Sequence, residues 1–372
     1  MTRLALLGLR RRAFRLSLAA GCIVRGAAAD SVTAEVGGGE SKPTPSIQAS
    51  FSEYQKLAGR YDASETLHLS GSLRLTHDFL GARTPGTTLR TGSDWILLAV
   101  MDVSADLSKH WSAGLQGTGL PPSPRDIASP FTYPAGRASQ QSTAIIKTTS
   151  ANIGGTVDVQ YDTFDEDGPA RAVDGSFGLS LGYAHFATAQ KMTAFDAPGG
   201  AVTTESFVRS CEATQTLLCD TVSNSVGTST ATLEQLRVGA TLVGTLYDRT
   251  DLTLDTGYYA YSASDPDAVG FFTFAPARGA TAATYGSGLP LLPPRYSIRP
   301  ELGHTWTKFS LRAWYQFTDY TAADSIGHAV GGKAQLIAGS WRIYTTGSYR
   351  ADLLSGTAAH TWTLGLGVTR AF

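Results

Sequence analysis

The stretch that decides the fold is Ala359-His360-Thr361-Trp362-Thr363-Leu364-Gly365-Leu366-Gly367-Val368-Thr369-Arg370-Ala371-Phe372. Trp362, Leu364, Leu366, Val368, Arg370 and Phe372 fall on one side of a period of two. Thr361, Thr363, Gly365, Gly367, Thr369 and Ala371 fall on the other. Such alternation is a β-strand with one apolar face and one small, polar face. The strand stops on an aromatic residue, which a soluble sheet rarely does.

The stretch resembles the closing strand of bacterial outer-membrane β-barrels. In that family a Gly is followed, three and five positions later, by hydrophobic or aromatic residues that serve assembly. Gly367 and Phe372 fit this signal, and Arg370 departs from it. The resemblance implies an antiparallel up-and-down barrel in the outer membrane, surrounded by lipid and inserted by the barrel-assembly machinery. No subfamily is implied.

Working outward, the totals agree. The chain has 372 residues, 42% hydrophobic and 16% charged, with 40 Gly. Beyond the N-terminus it has no apolar run long enough for a membrane helix, which takes about 20 residues. A barrel hides its hydrophobicity in alternate positions.

The first 29 residues read as an export signal. Arg3, Arg10, Arg11, Arg12 and Arg15 form a basic region, Leu16 to Val24 an apolar one, and Ala27-Ala28-Ala29 a small-residue cleavage site. Arg11-Arg12-Ala13-Phe14 also resembles a twin-arginine signal, and Ala19-Ala20-Gly21-Cys22 a lipobox. Removing residues 1–29 takes six of the 30 bases and none of the 31 acids, leaving a net charge of −7. That balance disfavours nucleic acid as a partner. Cys211 and Cys219, close together in a polar segment, are expected to form a disulfide in an oxidising compartment.

Residues 30–63 read as a flexible periplasmic lead-in, with a short amphipathic helix over 46–61 placing Phe51, Tyr54, Leu57 and Tyr61 on one side. The barrel itself is expected over 64–372 with about twelve strands. Residues 121–140 read as a Pro-rich loop. Short and long connections alternate along the chain, which puts short turns on the periplasmic rim and long loops, such as 190–230 and 264–293, outside. Trp111, Tyr161, Phe177, Phe309, Trp341 and Phe372 then fall near one membrane interface. Trp95, Tyr183, Tyr258, Phe317 and Trp362 fall near the other.

If the apolar stripes face lipid, the alternate residues line a pore. These are Arg74, Asp102, Asp106, Asp158, Arg237, Asp255, Arg299, Glu301, Arg312, Lys333, Arg342 and Arg350. Acids gather in the earlier strands and in 251–263; bases gather later. The expectation is a transverse field across a polar channel that passes small polar or charged solutes by diffusion. The alternative is a non-conducting barrel that acts through its outer loops as adhesin, receptor or structural protein. The sequence leaves the oligomeric state open.

Enzyme signatures are thin. His68 and Ser70 share one face of a strand and form the one nucleophile–base pair worth weighing, as a remote barrel-hydrolase reading. Asp102 and Asp106 are about 13 Å apart at strand rise, too far for a carboxylate dyad. The remaining histidines suggest no metal cluster. Gly199-Gly200-Ala201 and Gly331-Gly332-Lys333 lack phosphate-loop spacing. Neither catalysis nor a cofactor is expected.

Overall fold

The computed structural model describes residues 30–42, 50–79, 93–135, 138–163, 173–197, 200–211, 219, 222, 228–246, 249–262, 293–321, 324–354 and 357–372. The export signal over 1–29 and nearly all of 264–293 lie outside them.

The strands are β1 (Ser31–Lys42), β2 (Ser50–Asp62), β3 (Leu67–Phe79), β4 (Ser93–Asp106), β5 (Trp111–Ala135), β6 (Ala138–Asp162) and β7 (Val173–Ala197). They continue with β8 (Gly200–Thr203), β9 (Ser229–Leu246), β10 (Thr250–Tyr261), β11 (Pro294–Thr305) and β12 (Phe309–Tyr320). The last three are β13 (Ile326–Ala338), β14 (Trp341–Leu354) and β15 (Thr357–Ala371). One helix, α1 (Thr204–Cys211), follows β8. All fifteen strands form one antiparallel sheet, and β6 pairs with β7 as well as with β5, which closes it. The short β8 is a spur on β7. The closed wall therefore has fourteen strands.

The expected twelve strands are all present, as β3–β7 and β9–β15. The two additions come from 30–63, which is a β-hairpin and not a lead-in with a helix. β1 pairs with β15 from Ser31↔Ala371 to Lys42↔His360, so the hairpin seals the barrel against the terminal strand. The helical spacing of 46–61 misled for a physical reason. Phe51 and Tyr61 are exposed on the outside, while Tyr54 is buried, 6% exposed, on the inside. Side chains meant for two faces of a strand mimicked one face of a helix.

The apolar face points outward all round. Leu73, Leu97, Met101, Leu115, Val157, Leu179, Val238, Leu252, Leu302, Leu311, Ile343, Leu364 and Leu366 are exposed large hydrophobics on successive strands. Only a lipid surrounding makes such a surface stable, because a soluble protein rarely exposes a contiguous apolar patch beyond a few hundred Å². Trp111, Phe177, Phe309, Trp341 and Phe372 ring the rim where β1 begins and β15 ends. Arg370 belongs to this ring. Its guanidinium lies 5.2 Å from the Trp341 ring and 4.8 Å from that of Phe372. A cation laid over two rings suits a membrane interface, which accounts for the departure from the terminal signal.

That rim carries tight connections such as 107–110, 306–308 and 339–340, the last using Gly339 at φ +61. At the far rim β5, β6 and β7 run to 25 residues each, about 80 Å of strand at ~3.3 Å per residue. They overrun the barrel: the β4–β5 ladder ends at Ala99↔Gly119, while β5–β6 continues to Ala135↔Ala138. The Pro-rich segment 121–140 is thus ladder rather than loop. Beyond a bulge at Leu120/Ser123, Pro124, Pro130 and Pro134 share one parity within a continuing ladder. Among the described residues no strand pairs with the other side of β5 there, and a Pro tolerated at such an edge turns its nitrogen away from the partner strand, which removes donors from that edge. On the same projection Phe207 and Val208 of α1 pack against a buried cluster of Ala144, Met192, Phe195 and Val222. Cys211 and Cys219 are disulfide-bonded.

Candidate functional site: the barrel lumen

Register carries the inward face from strand to strand. Glu35 pairs with Lys56, Lys56 with Arg74 and Ser70 with Asp102. Gly114 pairs with Asp158, Gly182 with Arg237, Arg237 with Tyr259 and Asp255 with Arg299. Glu301 pairs with Trp314, Arg312 with Lys333, Ala329 with Arg350, and Gly37 with Gly365 back at the seam. Directly paired residues share a face. Asp106 and Arg342 follow by parity within β4 and β14. All twelve residues named from the sequence as pore-lining therefore sit on the inner face.

The charges divide as two arcs, with one change from the sequence reading. Across β4–β7 the inward ionisable groups include Asp102, Asp106, Asp158 and Asp162, with no inward base among the described side chains. Asp251 and Asp255 of β10, grouped with the acids by sequence, instead stand among the bases. Asp255 bonds Arg237 at 3.3 Å, and Asp251 bonds Arg312 at 3.3 Å. Arg312 also reaches Glu301 at 3.1 Å, which in turn holds Arg299 at 3.0 Å. Arg350 holds Asp352 at 2.7 Å. So the basic arc is a chain of linked pairs that retains an excess of positive charge.

Aromatic rings hold the bases against the wall. Arg74 lies 3.8 Å over Tyr54, Arg299 4.7 Å over Trp314, and Lys333 4.1 Å over Tyr344. Small residues make room for those rings. A Cβ on Gly37 would lie 2.5 Å from the Tyr54 ring, and one on Gly367 would overlap the Tyr344 ring. Gly367 thus has a packing reason to be Gly beside any role in assembly. The sequence reading missed Glu35, Lys56, Tyr54, Tyr344 and Trp314. The alternation of β1 was legible, but the Gly37-Gly38-Gly39 run made the segment read as loose.

Part of this lining stays exposed. Arg312 keeps 46% of its side chain accessible, Arg299 41% and Asp106 50%. Toward the far rim the inner face changes character: Ile96, Leu120, Phe186 and Leu233 bury one another at 0–3% exposure, with Tyr261 against them.

The His68–Ser70 pair does not assemble a nucleophile. His68 Nδ1 lies 2.6 Å from Asp62 and Nε2 3.5 Å from Asp106, so both ring nitrogens face carboxylates and not Ser70. Among the described residues no group of three or more His, Cys, Asp or Glu is placed to hold a metal.

No family model matches the chain. No curated protein matches it in sequence. Solved structures do share its architecture. A mutant of TodX, described as a monoaromatic hydrocarbon channel, aligns with TM-score 0.51 and 10% identity over 92% of this chain and 90% of its own. CymD, also described as a monoaromatic hydrocarbon channel, aligns with TM-score 0.49 and 9% identity over 92% and 89%. A Pseudomonas aeruginosa FadL homologue gives TM-score 0.47 and 8% identity over 92% and 90%. At such identity the likeness is one of fold. What is shared is the closed antiparallel β-barrel, and the apolar outer face of this chain fits such a barrel to a membrane.

Proposed function

We propose that the protein is an outer-membrane channel through which small polar and charged solutes diffuse passively, without chemistry or a bound cofactor. The observation that carries this reading is the accessible, charged inner lining. A barrel of about eight strands fills its interior with side chains, and one of about sixteen leaves an aqueous channel. Fourteen strands lie between these sizes, and among the described residues no ion pair joins the acidic arc to the basic one. Facing arcs of opposite sign orient dipolar solutes and set ion preference.

A second reading is favoured by the apolar cluster of Ile96, Leu120, Phe186 and Leu233 on the inner face. It would suit passage of hydrophobic solutes, as the two hydrocarbon channels of like fold are described. Those four side chains are packed on one another, however, and offer a stopper more than a path.

The test is single-channel recording of residues 30–372 refolded and inserted in a planar bilayer, with reversal potentials in a salt gradient. Discrete openings with measurable ion preference are expected. A silent, properly inserted barrel would overturn the reading and shift function to the far-rim projection. Vesicle uptake of a monoaromatic probe with no ionic conductance would favour the hydrophobic path.

A further inference from the structure

The inward bases are unevenly neutralised. Arg237, Arg299, Arg312 and Arg350 all contact acids. Lys56, Lys333 and Arg342 make no ion pair among the described residues. They also converge: Lys333 stands opposite Arg312 in the β12–β13 register and lies 4.1 Å over the Tyr344 ring, Arg342 is two positions from Tyr344 on the same face of β14, and Lys56 pairs with Glu35, which accepts the Tyr344 hydroxyl. Lys56 comes from β2, on the other side of the β15–β1 seam, so the group gathers by curvature of the wall.

The acid facing this group is Glu35, and its carboxylate is already engaged. The Tyr54 hydroxyl donates to Oε1 at 2.5 Å, and the Tyr344 hydroxyl donates to Oε2 at 2.8 Å. Two phenols, held in place by Gly37, Gly365 and Gly367, thus take the positions a lysine would need. Short hydrogen bonds to an ionised carboxylate are strong ones, so Glu35 does not readily leave them. The acids that hold Arg312, Glu301 and Asp251, are likewise committed to it.

Clustered like charge between low-dielectric walls repels strongly and concentrates counter-ions. We propose that Lys56, Arg312, Lys333 and Arg342 form a lumenal binding site for a small multivalent oxyanion of phosphate-like size and charge. Guanidinium forks match the oxygens of such an anion in pairs, and ammonium groups add rotatable donors. Arg312 is matched by its own acids, so the surplus comes from Lys56, Lys333 and Arg342 against the one engaged carboxylate of Glu35, which leaves room for more than a single negative charge. The site deepens the channel reading and gives it a solute class. Its transport meaning rests on that reading, but its existence does not.

The experiment pairs calorimetry with conductance on the refolded protein, using inorganic phosphate as probe and chloride at matched ionic strength as reference. Expected are saturable heat with phosphate, block of chloride current by phosphate, and at least a tenfold loss of affinity in Lys333→Gln/Arg342→Gln. Glu205→Gln on α1, outside the barrel, serves as the control that should behave as the unaltered protein. Tyr344→Phe removes one donor from Glu35 and is expected to weaken phosphate binding, because the freed carboxylate oxygen competes for Lys333. Phosphate that binds no better than chloride, or equally in Lys333→Gln/Arg342→Gln, would overturn the proposal. A silent barrel that still binds phosphate would sink the channel reading and leave the site standing. A conducting barrel that neither binds phosphate nor is blocked by it would do the reverse.

Discussion

The β4–β7 arc and the β10–β14 arc share one inner face, but they hold their charges differently. The first arc carries carboxylates that make no ion pair with Lys or Arg among the described residues: Asp158 leans over Gly114, and Asp102 pairs with Gln116. The second carries guanidiniums tied to acids and laid on rings, Arg312 to Glu301 and Asp251, Arg299 to Glu301 and over Trp314. Loose charges respond to whatever ion enters. Tied ones are pre-placed, and their field is fixed by neighbours on the wall. The difference teaches that ion preference should follow the basic arc more than the acidic one, although both carry net charge.

The comparison can be broken most directly from the basic side. Arg299→Gln, Arg312→Gln and Arg342→Gln together should raise the cation-to-anion permeability ratio roughly tenfold. Reversal potentials that do not move would end the two-arc account. Asp102→Asn with Asp158→Asn should shift the ratio the other way by about threefold, read in the same gradient; a larger shift than that of the arginines would reverse the ranking of the arcs.

Stability tests sharpen the same contrast. Gly367→Leu drives a side chain into Tyr344 and should cost about 1–3 kcal/mol, the usual range for overpacking, lowering the temperature at which the folded band is lost on gels. Glu35→Gln replaces two charge-assisted bonds from Tyr54 and Tyr344 with neutral ones and should cost about 1 kcal/mol in the same assay. Arg370→Ala, on the lipid side, should cost no more than about 1 kcal/mol. An effect of Arg370→Ala larger than that of Glu35→Gln would mean that the rim, not the lumen lining, limits stability.

Much of this architecture was legible in the sequence because lipid and water impose alternation residue by residue. Leu364 and Leu366 out, Gly365 and Gly367 in, needed no partner to be read. β1 and β2 escaped because the inward positions of one are Gly-rich and Tyr54 of the other completes a false helical stripe. The inner face of each named base was likewise legible from parity. Its partner was not, because whether Asp255 meets Arg237 or an acid across the lumen depends on register and on which strand comes next around the wall. The Pro-rich stretch misled for the opposite reason: Pro usually breaks strands, and only the free edge of β5 turns it into an asset.

That edge has a practical consequence for living cells. A hairpin that overruns the barrel by several turns' worth of strand, with an edge unfit to recruit another chain, is a mast. A peptide epitope placed between β5 and β6 would stand beyond the rest of the barrel wall: with the far rim outward, intact bacteria bind its antibody, and with the far rim inward only permeabilised ones do. The same hairpin makes the protein's orientation something to be read by flow cytometry, before any current is recorded.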